Sequence, residues 1–352
     1  MRVSLSKSDR SFSATPGMSV LDAALRAGLN LPHGCKGGNC GACRTRLLEG
    51  EIRYPNGRPL GLSEAEVGEG FVLLCQARAC GDLVIESIEI TTSEEVAIKR
   101  LPGRLERMER LAHDVMGVYL RLPAAEPFHF EPGQYIDIML SGGRRRSFSI
   151  ASPPHDSRLL ELHVRRVSGG ELTERLFTEE TAGTLLSIEG PLGRFVYRSQ
   201  SRAPMLLVGG GTGFAPLKSI LRHVIDNRLP RDMVLYWGVR TEEDLYARRE
   251  IEELLRVTTA LDGPTNFRFH AVLSDAGLAW TGRRGWVHEA VLEDSLELGA
   301  MDIYASGPPA MINAVRREFP LRGADLTRLS FDSFDYAPDT LERQHLTAAN
   351  KS

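Results

Sequence analysis

The sequence has few cysteines, little net charge and no long hydrophobic run. Its 352 residues include 43 basic and 46 acidic side chains, a formal net charge of −3, so no global attraction to nucleic acid or an anionic membrane is expected. No apolar run approaches the ~18 residues of a transmembrane helix, and the polar start, Met1–Ser8, lacks the apolar core of a signal peptide. We therefore predict a cytoplasmic protein without membrane insertion and without a nucleic-acid partner.

Five cysteines are too few for a disulfide scaffold, and a chain of 352 residues buries enough surface to fold without one. Cys35, Cys40 and Cys43 have the C-x4-C-x2-C spacing of a plant-type 2Fe-2S loop, and Cys75 supplies a fourth thiolate from a later segment. Disulfides and zinc are the alternatives, but structural zinc usually takes paired C-x2-C motifs and only one is present. Cys80 lies outside the ligand pattern.

The segment around the clustered cysteines predicts a small mixed domain. Glycines at positions 34, 37, 38 and 41 allow the tight backbone curl that such a loop requires. The pattern predicts a hairpin near the N-terminus, a helix capped by Ser19, and strands over 45–48, 71–74 and 83–90. This order resembles the β-grasp domain of plant-type and oxygenase-associated ferredoxins over residues 1–92, which implies a 2Fe-2S cluster held by Cys35, Cys40, Cys43 and Cys75.

Residues 93–102 are polar and end in proline and glycine, which predicts a linker. Beyond it, short strands with turn signals predict an antiparallel six-stranded barrel over residues 103–200. The strand Arg146-Ser147-Phe148-Ser149 offers a guanidinium fork, an aromatic plane and a hydroxyl. The turn at Gly169-Gly170 opens a short helix, whose N-terminus is a ready phosphate site. Either motif alone is usually ordinary surface or an ordinary turn.

Together the two motifs resemble the FAD domain of the ferredoxin–NADP⁺ reductase superfamily. The resemblance implies that Arg146 grips the FAD pyrophosphate and that Phe148, which stands where the family commonly has Tyr, packs along the flavin. It also implies that Ser149 forms a hydrogen bond near the flavin nitrogen that accepts hydride. The remaining implied FAD contacts are Ser147, His163, Val164, Arg165, Gly169, Gly170, Leu172 and Thr173.

The hydrophobic pattern changes at about residue 201. Met205–Val208 is a continuous apolar run, and Gly209–Gly213 separates it from a segment with apolar residues at i, i+3, i+4 and i+7. This strand–loop–helix order cradles a phosphate group at the helix N-terminus. Further strands over 233–239, 267–273 and 302–305 predict a parallel-sheet α/β domain over residues 201–338.

The sequence Gly-Thr-Gly-Phe-Ala-Pro, starting at Gly211, resembles the pyridine-nucleotide domain of the same superfamily and implies a Rossmann-like NAD-binding fold. Ser306 stands where the family has a cysteine beside the nicotinamide. Arg240 is expected near the adenosine ribose among acids such as Asp244, which favours NADH, with NADPH as the alternative. The other implied nucleotide contacts are Gly211, Thr212, Gly213, Gly307 and Pro308.

The last segment contains a candidate cover for the flavin. In the superfamily, residues near the C-terminus lie over the flavin face that the nicotinamide must reach. Phe334 is the candidate here and Tyr336 the second; an ordinary core aromatic is the alternative. Residues 339–352 predict a polar tail.

The whole chain resembles the reductase components of bacterial multicomponent oxygenases and the CDP-6-deoxy-Δ3,4-glucoseen reductase group. The resemblance implies a multidomain α+β and α/β protein that passes hydride from NAD(P)H to FAD beside Ser149, Ser306 and Phe334. Single electrons then leave through the 2Fe-2S cluster to a partner. A terminal oxygenase component is the first hypothesis for that partner and a deoxysugar dehydrase the second. A non-catalytic redox-sensing module is a third hypothesis for the protein.

Overall fold

The computed structural model describes residues 1–34, 36–87, 98–260 and 265–334. These residues form three successive units, each with a hydrophobic core of its own. None of the described helices is long and apolar enough to cross a membrane. Several predictions concern residues outside the described ranges: Cys35, the end of the strand predicted over 83–90, the first half of the predicted linker, Tyr336 and the polar tail.

The first unit is a mixed sheet covered by a short helix. The strand order is β2-β1-β7-β3-β5, with β1 paired to β2 antiparallel and to β7 parallel. The predicted hairpin and the helix cap are present, since the Ser19 side chain accepts a hydrogen bond from the Asp22 backbone. The elements are β1 Arg2–Leu5, β2 Ser11–Ser13, α1 Val20–Arg26, β3 Arg44–Glu49, β4 Ile52–Arg53, α2 Glu64–Gly68, β5 Phe71–Leu73, β6 Arg78–Ala79 and β7 Leu83–Ile85.

The second unit confirms the predicted antiparallel barrel. Within the described residues six strands follow the order β11-β10-β13-β8-β9-β12, and a bridge between Ile150 and Leu162 joins the two ends of the sheet. The elements are β8 Lys99–Arg110, β9 Val115–Arg121, β10 Tyr135–Met139, β11 Arg145–Ser149, β12 Leu159–Arg165, α3 Glu171–Thr178 and β13 Leu185–Leu192. The predicted linker extends too far, because residues 99–102 already pair with β13 as the start of β8.

The third unit is the predicted parallel sheet with helices on both faces. Its strand order is β17-β16-β15-β14-β18-β19, and every neighbouring pair is parallel. Leu207 and Trp237 face one hydrophobic core, while Leu206 and Val208 face another on the opposite side. The elements are β14 Met205–Gly210, α4 Phe214–Asp226, β15 Met233–Val239, α5 Arg248–Ala260, β16 Phe267–Leu273, β17 Arg283–Arg284, α6 Val287–Glu293, β18 Asp302–Gly307, α7 Pro309–Glu318 and β19 Leu329–Ser333.

The edge strand β19 was not predicted from the sequence. It runs parallel to β18 with Ser306 opposite Asp332 and Gly307 opposite Ser333. The alternation of apolar and polar residues in β19 is too short to predict a strand from the sequence. In addition, an edge strand lacks the continuous apolar run that marks a strand buried on both faces, such as β14. This strand carries the end of the described chain back to the mouth of the site.

Candidate functional site

Three of the four predicted cluster ligands lie where two neighbouring strands meet. Cys43 directly precedes β3, Cys75 follows β5 by two residues, and the Leu74 amide donates to the Cys43 carbonyl at 3.2 Å. Cys40, Cys43 and Cys75 are 5%, 3% and 6% exposed. None of the cysteines in the described ranges forms a disulfide, and Cys80 is exposed. The strand pairing therefore brings the distant Cys75 to the loop of the other two.

The backbone of the cysteine loop has the curl that a cluster requires. Lys36, Gly38 and Gly41 have φ values of 55°, 87° and 72°, all in the left-handed region. The Ala42 amide donates to the Cys40 sulfur at 3.5 Å. Three buried cysteines and a loop amide that donates to sulfur fit a 2Fe-2S centre, which accepts and releases one electron at a time when bound.

A cavity of about 1080 Å³ is lined by residues of all three units. The first unit contributes Gly34 and Lys36 of the cysteine loop and the fourth predicted ligand, Cys75. The other lining residues that the sequence analysis named are Arg146, Ser147, Phe148, Ser149, His163, Arg165, Gly170, Thr173, Gly211, Thr212, Arg240, Asp244, Pro308 and Phe334. The structure thus gathers most of the predicted site residues around one space.

The barrel strand β11 lines this cavity with all five of its residues, Arg145–Ser149. The Ser147 hydroxyl donates to Asp137 Oδ1 at 2.6 Å, while the Phe148 ring is half-buried against the barrel core. Arg146 is half-buried and donates to the Arg145 carbonyl at 2.9 Å. A cation, an aromatic ring and hydroxyl groups beside a large cavity fit a flavin dinucleotide.

Not every residue predicted for FAD points its side chain into the cavity. Val164 and Leu172 are buried in the barrel core, at 0% and 1% exposure, so only their backbone can face a ligand. At the start of α3, Gly170 and Thr173 line the cavity, but the Gly169 amide already donates to Glu174 Oε1 at 3.0 Å. The helix N-terminus is present as predicted, with one of its amide groups occupied.

The glycine loop of the third unit approaches the end of β18 very closely. A Cβ atom on Gly213 would lie 2.0 Å from the Ser306 carbonyl oxygen, so no larger residue fits there. Gly211 has a φ of 55°, and its carbonyl accepts a hydrogen bond from the Trp237 indole at 2.8 Å. Ser306 itself is fully buried behind this loop.

The edge strand β19 adds an acid that the sequence analysis did not single out. Asp332 is 7% exposed, and its Oδ2 accepts from the Ser149 hydroxyl at 3.1 Å and lies 3.5 Å from the Ser306 hydroxyl. Two residues later, the Phe334 amide donates to the Gly307 carbonyl at 3.0 Å. Two of the predicted residues, one on the barrel and one on the parallel sheet, therefore share a carboxylate.

His163 lines the cavity, but both of its ring nitrogens are engaged in a buried network between the second and third units. Nε2 lies 3.0 Å from Glu161 Oε1 and Nδ1 lies 3.1 Å from the Tyr246 hydroxyl. The Lys218 ammonium lies 2.9 and 2.8 Å from the two Glu161 oxygens and 2.9 Å from Glu250. This network holds the barrel strand β12 against α4 and α5.

Burial alone would raise the pKa of Glu161. The hydrogen bond and charge of His163 and the ammonium of Lys218 outweigh that effect, so the pKa of the carboxyl lies well below its usual value. Glu161 is consequently ionised at neutral pH, and the pair that it forms with Lys218 joins two domains through buried opposite charges.

The comparison with protein families follows the same division into three units. Residues 3–80 match the 2Fe-2S iron-sulfur cluster binding domain, residues 102–197 the oxidoreductase FAD-binding domain, and residues 207–317 the oxidoreductase NAD-binding domain. The 2Fe-2S, FAD and NAD cofactors inferred from the cysteine spacing and the two ligand motifs agree with these matches.

Similar proteins cover nearly the whole chain. The CDP-6-deoxy-L-threo-D-glycero-4-hexulose-3-dehydrase reductase of Yersinia pestis is 34% identical over 95% of this chain and 98% of its own. Reductase component 1 of terephthalate 1,2-dioxygenase from Comamonas sp is 35% identical over 90% of this chain and 91% of its own.

Among solved structures, the Amycolatopsis cytochrome P450 reductase GcoB is 34% identical with a TM-score of 0.75, covering 95% of this chain and 98% of its own. The ferredoxin reductase of carbazole 1,9a-dioxygenase is 27% identical with a TM-score of 0.70 over 95% of this chain and 98% of its own. The domains that match the family models and the relatives named as reductases make this chain an NAD(P)H-dependent oxidoreductase that delivers electrons to a redox acceptor. It belongs to the iron–sulfur flavoprotein reductases, which combine a 2Fe-2S ferredoxin domain, an FAD-binding barrel and an NAD-binding domain in one polypeptide.

Proposed function

We propose that this chain is an NADH-dependent reductase whose electrons leave through the 2Fe-2S centre to the terminal component of an oxygenase. The observation that carries the proposal is the cavity lined together by Cys75 of the ferredoxin unit, Ser149 of the barrel and Thr212 of the nucleotide loop. Such an arrangement lets one chain take two electrons from a nicotinamide and deliver them singly, which is the chemistry that FAD supplies when bound.

The barrel residues are proposed to hold and orient the FAD. Arg146 supplies a fixed positive charge for the pyrophosphate, because a guanidinium pairs with phosphate oxygens through two parallel donors. The half-buried Phe148 supplies an apolar wall, and Gly170 and Thr173 border the phosphate end at the start of α3. Arg165, which pairs with Asp114 at 2.8 Å, keeps its guanidinium beside Gly211 between the flavin side and the nucleotide side.

The reacting end of the cavity is proposed to lie at Ser149, Ser306 and Phe334. Asp332 holds the two hydroxyl groups in place by accepting from both. Phe334 lines the cavity directly after β19, which supports a role for its ring as a cover over the flavin until a nicotinamide takes that position. These residues orient the two cofactors and exclude water from the contact between them.

NADH is the proposed nucleotide because the cation near the ribose side is paired with an acid. Arg240 and Asp275 lie 3.7 Å apart, with side chains 78% and 71% exposed. The Asp275 carboxylate offsets the charge that would attract a 2′-phosphate, and it would repel that phosphate directly.

We expect the ratio of kcat/KM for NADH to that for NADPH to exceed ten. Asp275→Asn should lower this ratio and Arg240→Ala should raise it; a ratio below one would contradict the assignment.

The acceptor has two candidates of different chemistry. The relatives that serve terephthalate 1,2-dioxygenase and propane 2-monooxygenase support an oxygenase, whereas the Yersinia relatives support a deoxysugar dehydrase. We place the oxygenase first because both kinds of oxygenase use a reductase of this architecture. The proposed compartment is the cytoplasm, where thiols that ligate iron stay reduced.

The test of the acceptor is reconstitution. The purified holoprotein and NADH are combined separately with terminal oxygenases and with a deoxysugar dehydrase from the same genome, and substrate conversion is followed. Conversion that requires both the reductase and the oxygenase is the expected result. Conversion only with the dehydrase would replace the first hypothesis by the second, and reduction of cytochrome c in the same preparation controls for an active reductase.

A further inference from the structure

A single arginine of the NAD-binding domain reaches into the cysteine loop of the ferredoxin domain. Arg316, on α7, donates from Nη1 to the carbonyls of Asn39 at 2.9 Å and Gly61 at 3.2 Å, and from Nη2 to the carbonyl of Cys40 at 3.1 Å. The sequence separation is 276 residues for the contact with Cys40. None of the resemblances assigns a role to this residue.

The fit between the guanidinium and the loop is close. A Cβ atom on Gly41 would lie 2.1 Å from Arg316 Nη2, so the contact requires a glycine at that position. The same guanidinium lies 5.5 Å from the centroid of the Phe331 ring on β19. Three carbonyl acceptors and an aromatic face hold the planar group in one orientation, which a flexible ammonium would not adopt.

The ferredoxin domain has a second anchor, on the barrel. Lys36, next to the ligand position Cys35, forms an ion pair with Asp137 at 2.8 Å, and the Asp137 side chain is 1% exposed. Burial alone would raise the pKa of Asp137, but the Lys36 charge and the Ser147 hydroxyl lower it overall, so the pair is ionised. The loop is thus attached to both of the other domains, through Lys36 to the barrel and through the carbonyls of Asn39 and Cys40 to α7.

We propose that Arg316 is a positioning residue with two effects: it docks the ferredoxin domain with its cysteine loop toward the flavin cavity, and it raises the reduction potential of the 2Fe-2S centre. The electrostatic effect follows because reduction adds a negative charge beside a fixed cation in a partly desolvated site. Arg316 keeps its proton and its charge throughout, while one electron leaves the flavin and one enters the cluster. The proposal rests on the cofactor assignment and is independent of which acceptor is served.

The arginine also links the cluster to the nucleotide side of the site. Helix α7 begins at Pro309, directly after the Ser306-Gly307-Pro308 loop, and Pro308, Ala310 and Met311 line the cavity. Arg316 follows on the same helix, within two turns of that loop. One rigid element therefore carries both the border of the nucleotide site and the contact with the cysteine loop.

The test compares Arg316→Gln with the neighbouring control Arg317→Gln in the holoprotein. Arg317 is 73% exposed and pairs with Glu318 on the outer face of the helix, so its loss removes the same formal charge without touching the loop. The midpoint potential of the cluster is measured by an EPR-monitored redox titration. Small-angle X-ray scattering reports the radius of gyration of the same samples, which measures docking without reference to turnover.

We expect Arg316→Gln to make the equilibrium constant for one-electron reduction of the cluster about tenfold smaller, which lowers its midpoint potential by about 59 mV. We also expect this variant to have a larger radius of gyration. Arg317→Gln should match the wild type in both measurements. Arg316→Lys, which keeps the charge but not the planar fork, should recover most of the potential and carries the test if the glutamine variant loads little iron. Wild-type potential and radius of gyration in Arg316→Gln would overturn the proposal. In Arg316→Lys the overturning result is a wild-type radius of gyration, because a flexible ammonium does not reproduce the three contacts of the planar group.

Discussion

The Ser149 hydroxyl on the barrel donates to Asp332 Oδ2 on the last strand of the parallel sheet at 3.1 Å, across a sequence separation of 183 residues. The same oxygen lies 3.5 Å from the Ser306 hydroxyl, which the parallel register of β18 and β19 places opposite Asp332. A single buried carboxylate thus orients one hydroxyl from each of the two domains that bind cofactors. The geometry of the reacting end depends on how those two domains pack together.

Asp332→Asn tests this arrangement. The amide keeps the shape of the side chain but removes the charge, and a hydrogen bond to a charged group contributes about 1.5–3 kcal/mol. We expect the rate of flavin reduction by NADH, measured by stopped-flow absorbance, to fall roughly 10- to 100-fold. Asp325→Asn is the control, because asparagine caps a helix as well as aspartate does and Asp325 is exposed. Equal rates for Asp332→Asn and the wild type would contradict the role of the carboxylate.

Serine substitutions separate the ligand cysteines from the remaining one. Cys75→Ser should lose the cluster, seen as lost iron and lost visible absorption above the flavin bands, because a hydroxyl does not replace a thiolate ligand. Its reduction of cytochrome c should fall by more than about tenfold, while ferricyanide reduction, which the flavin supports directly, should persist.

The matched control is Cys80→Ser, which changes an exposed thiol outside the ligand spacing. This variant should retain the iron content and both activities of the wild type. Loss of iron from Cys80→Ser together with normal iron in Cys75→Ser would show that the fourth ligand is misassigned.

The buried Lys218–Glu161 pair predicts a large effect on stability. Lys218→Met leaves Glu161 buried with only His163 and the Tyr119 hydroxyl as partners, and breaking a buried ion pair costs about 3–5 kcal/mol. Urea unfolding followed by the fluorescence of the buried Trp237 should show the lower midpoint.

The control is Arg222→Gln, which removes an exposed ion pair on the same helix and should cost less than about 0.5 kcal/mol of stability. Equal midpoints for the two variants would contradict a stabilising role for the network.

The lowered pKa of Glu161 predicts acid sensitivity of the domain contact. An unfolded glutamate titrates near pH ~4.3, and the pKa of the folded group is lower, so the unfolded state binds more protons in the interval between the two values. The stabilising contribution of Glu161 is therefore complete above about pH 5 and declines as the pH falls toward the folded pKa. The stability difference between the wild type and Glu161→Gln should shrink from pH 6 to pH 3. A difference that is constant over this range would refute the linkage.

Patterns of local chemistry predicted most of the fold. The bounds of β15 and β16 match the predicted 233–239 and 267–273, and β15 is the uninterrupted apolar run that is typical of a buried parallel strand. Two other strands were missed or begun too late: β19 combines polar and apolar residues in a short edge strand, and β8 begins with the charged Lys99 and Arg100 inside the predicted linker. The FAD motif also did not predict the direction of each side chain, since Val164 and Leu172 point into the barrel core.

The cofactor classes and the order of the domains follow from the sequence alone. Cysteine spacing, a glycine loop after an apolar run and an Arg-x-Phe-Ser strand are local patterns whose chemistry can be recognised without knowing the fold. Which polar groups act together depends instead on how the domains pack. Along the chain, Asp332, Arg316 and Lys218 are ordinary charged residues. In the fold they contact Ser149, Cys40 and Glu161, respectively. Their partners are set by the packing of separate domains. Hydrophobic periodicity in the sequence predicts helices and strands, but it does not predict which distant group a single charged residue will contact.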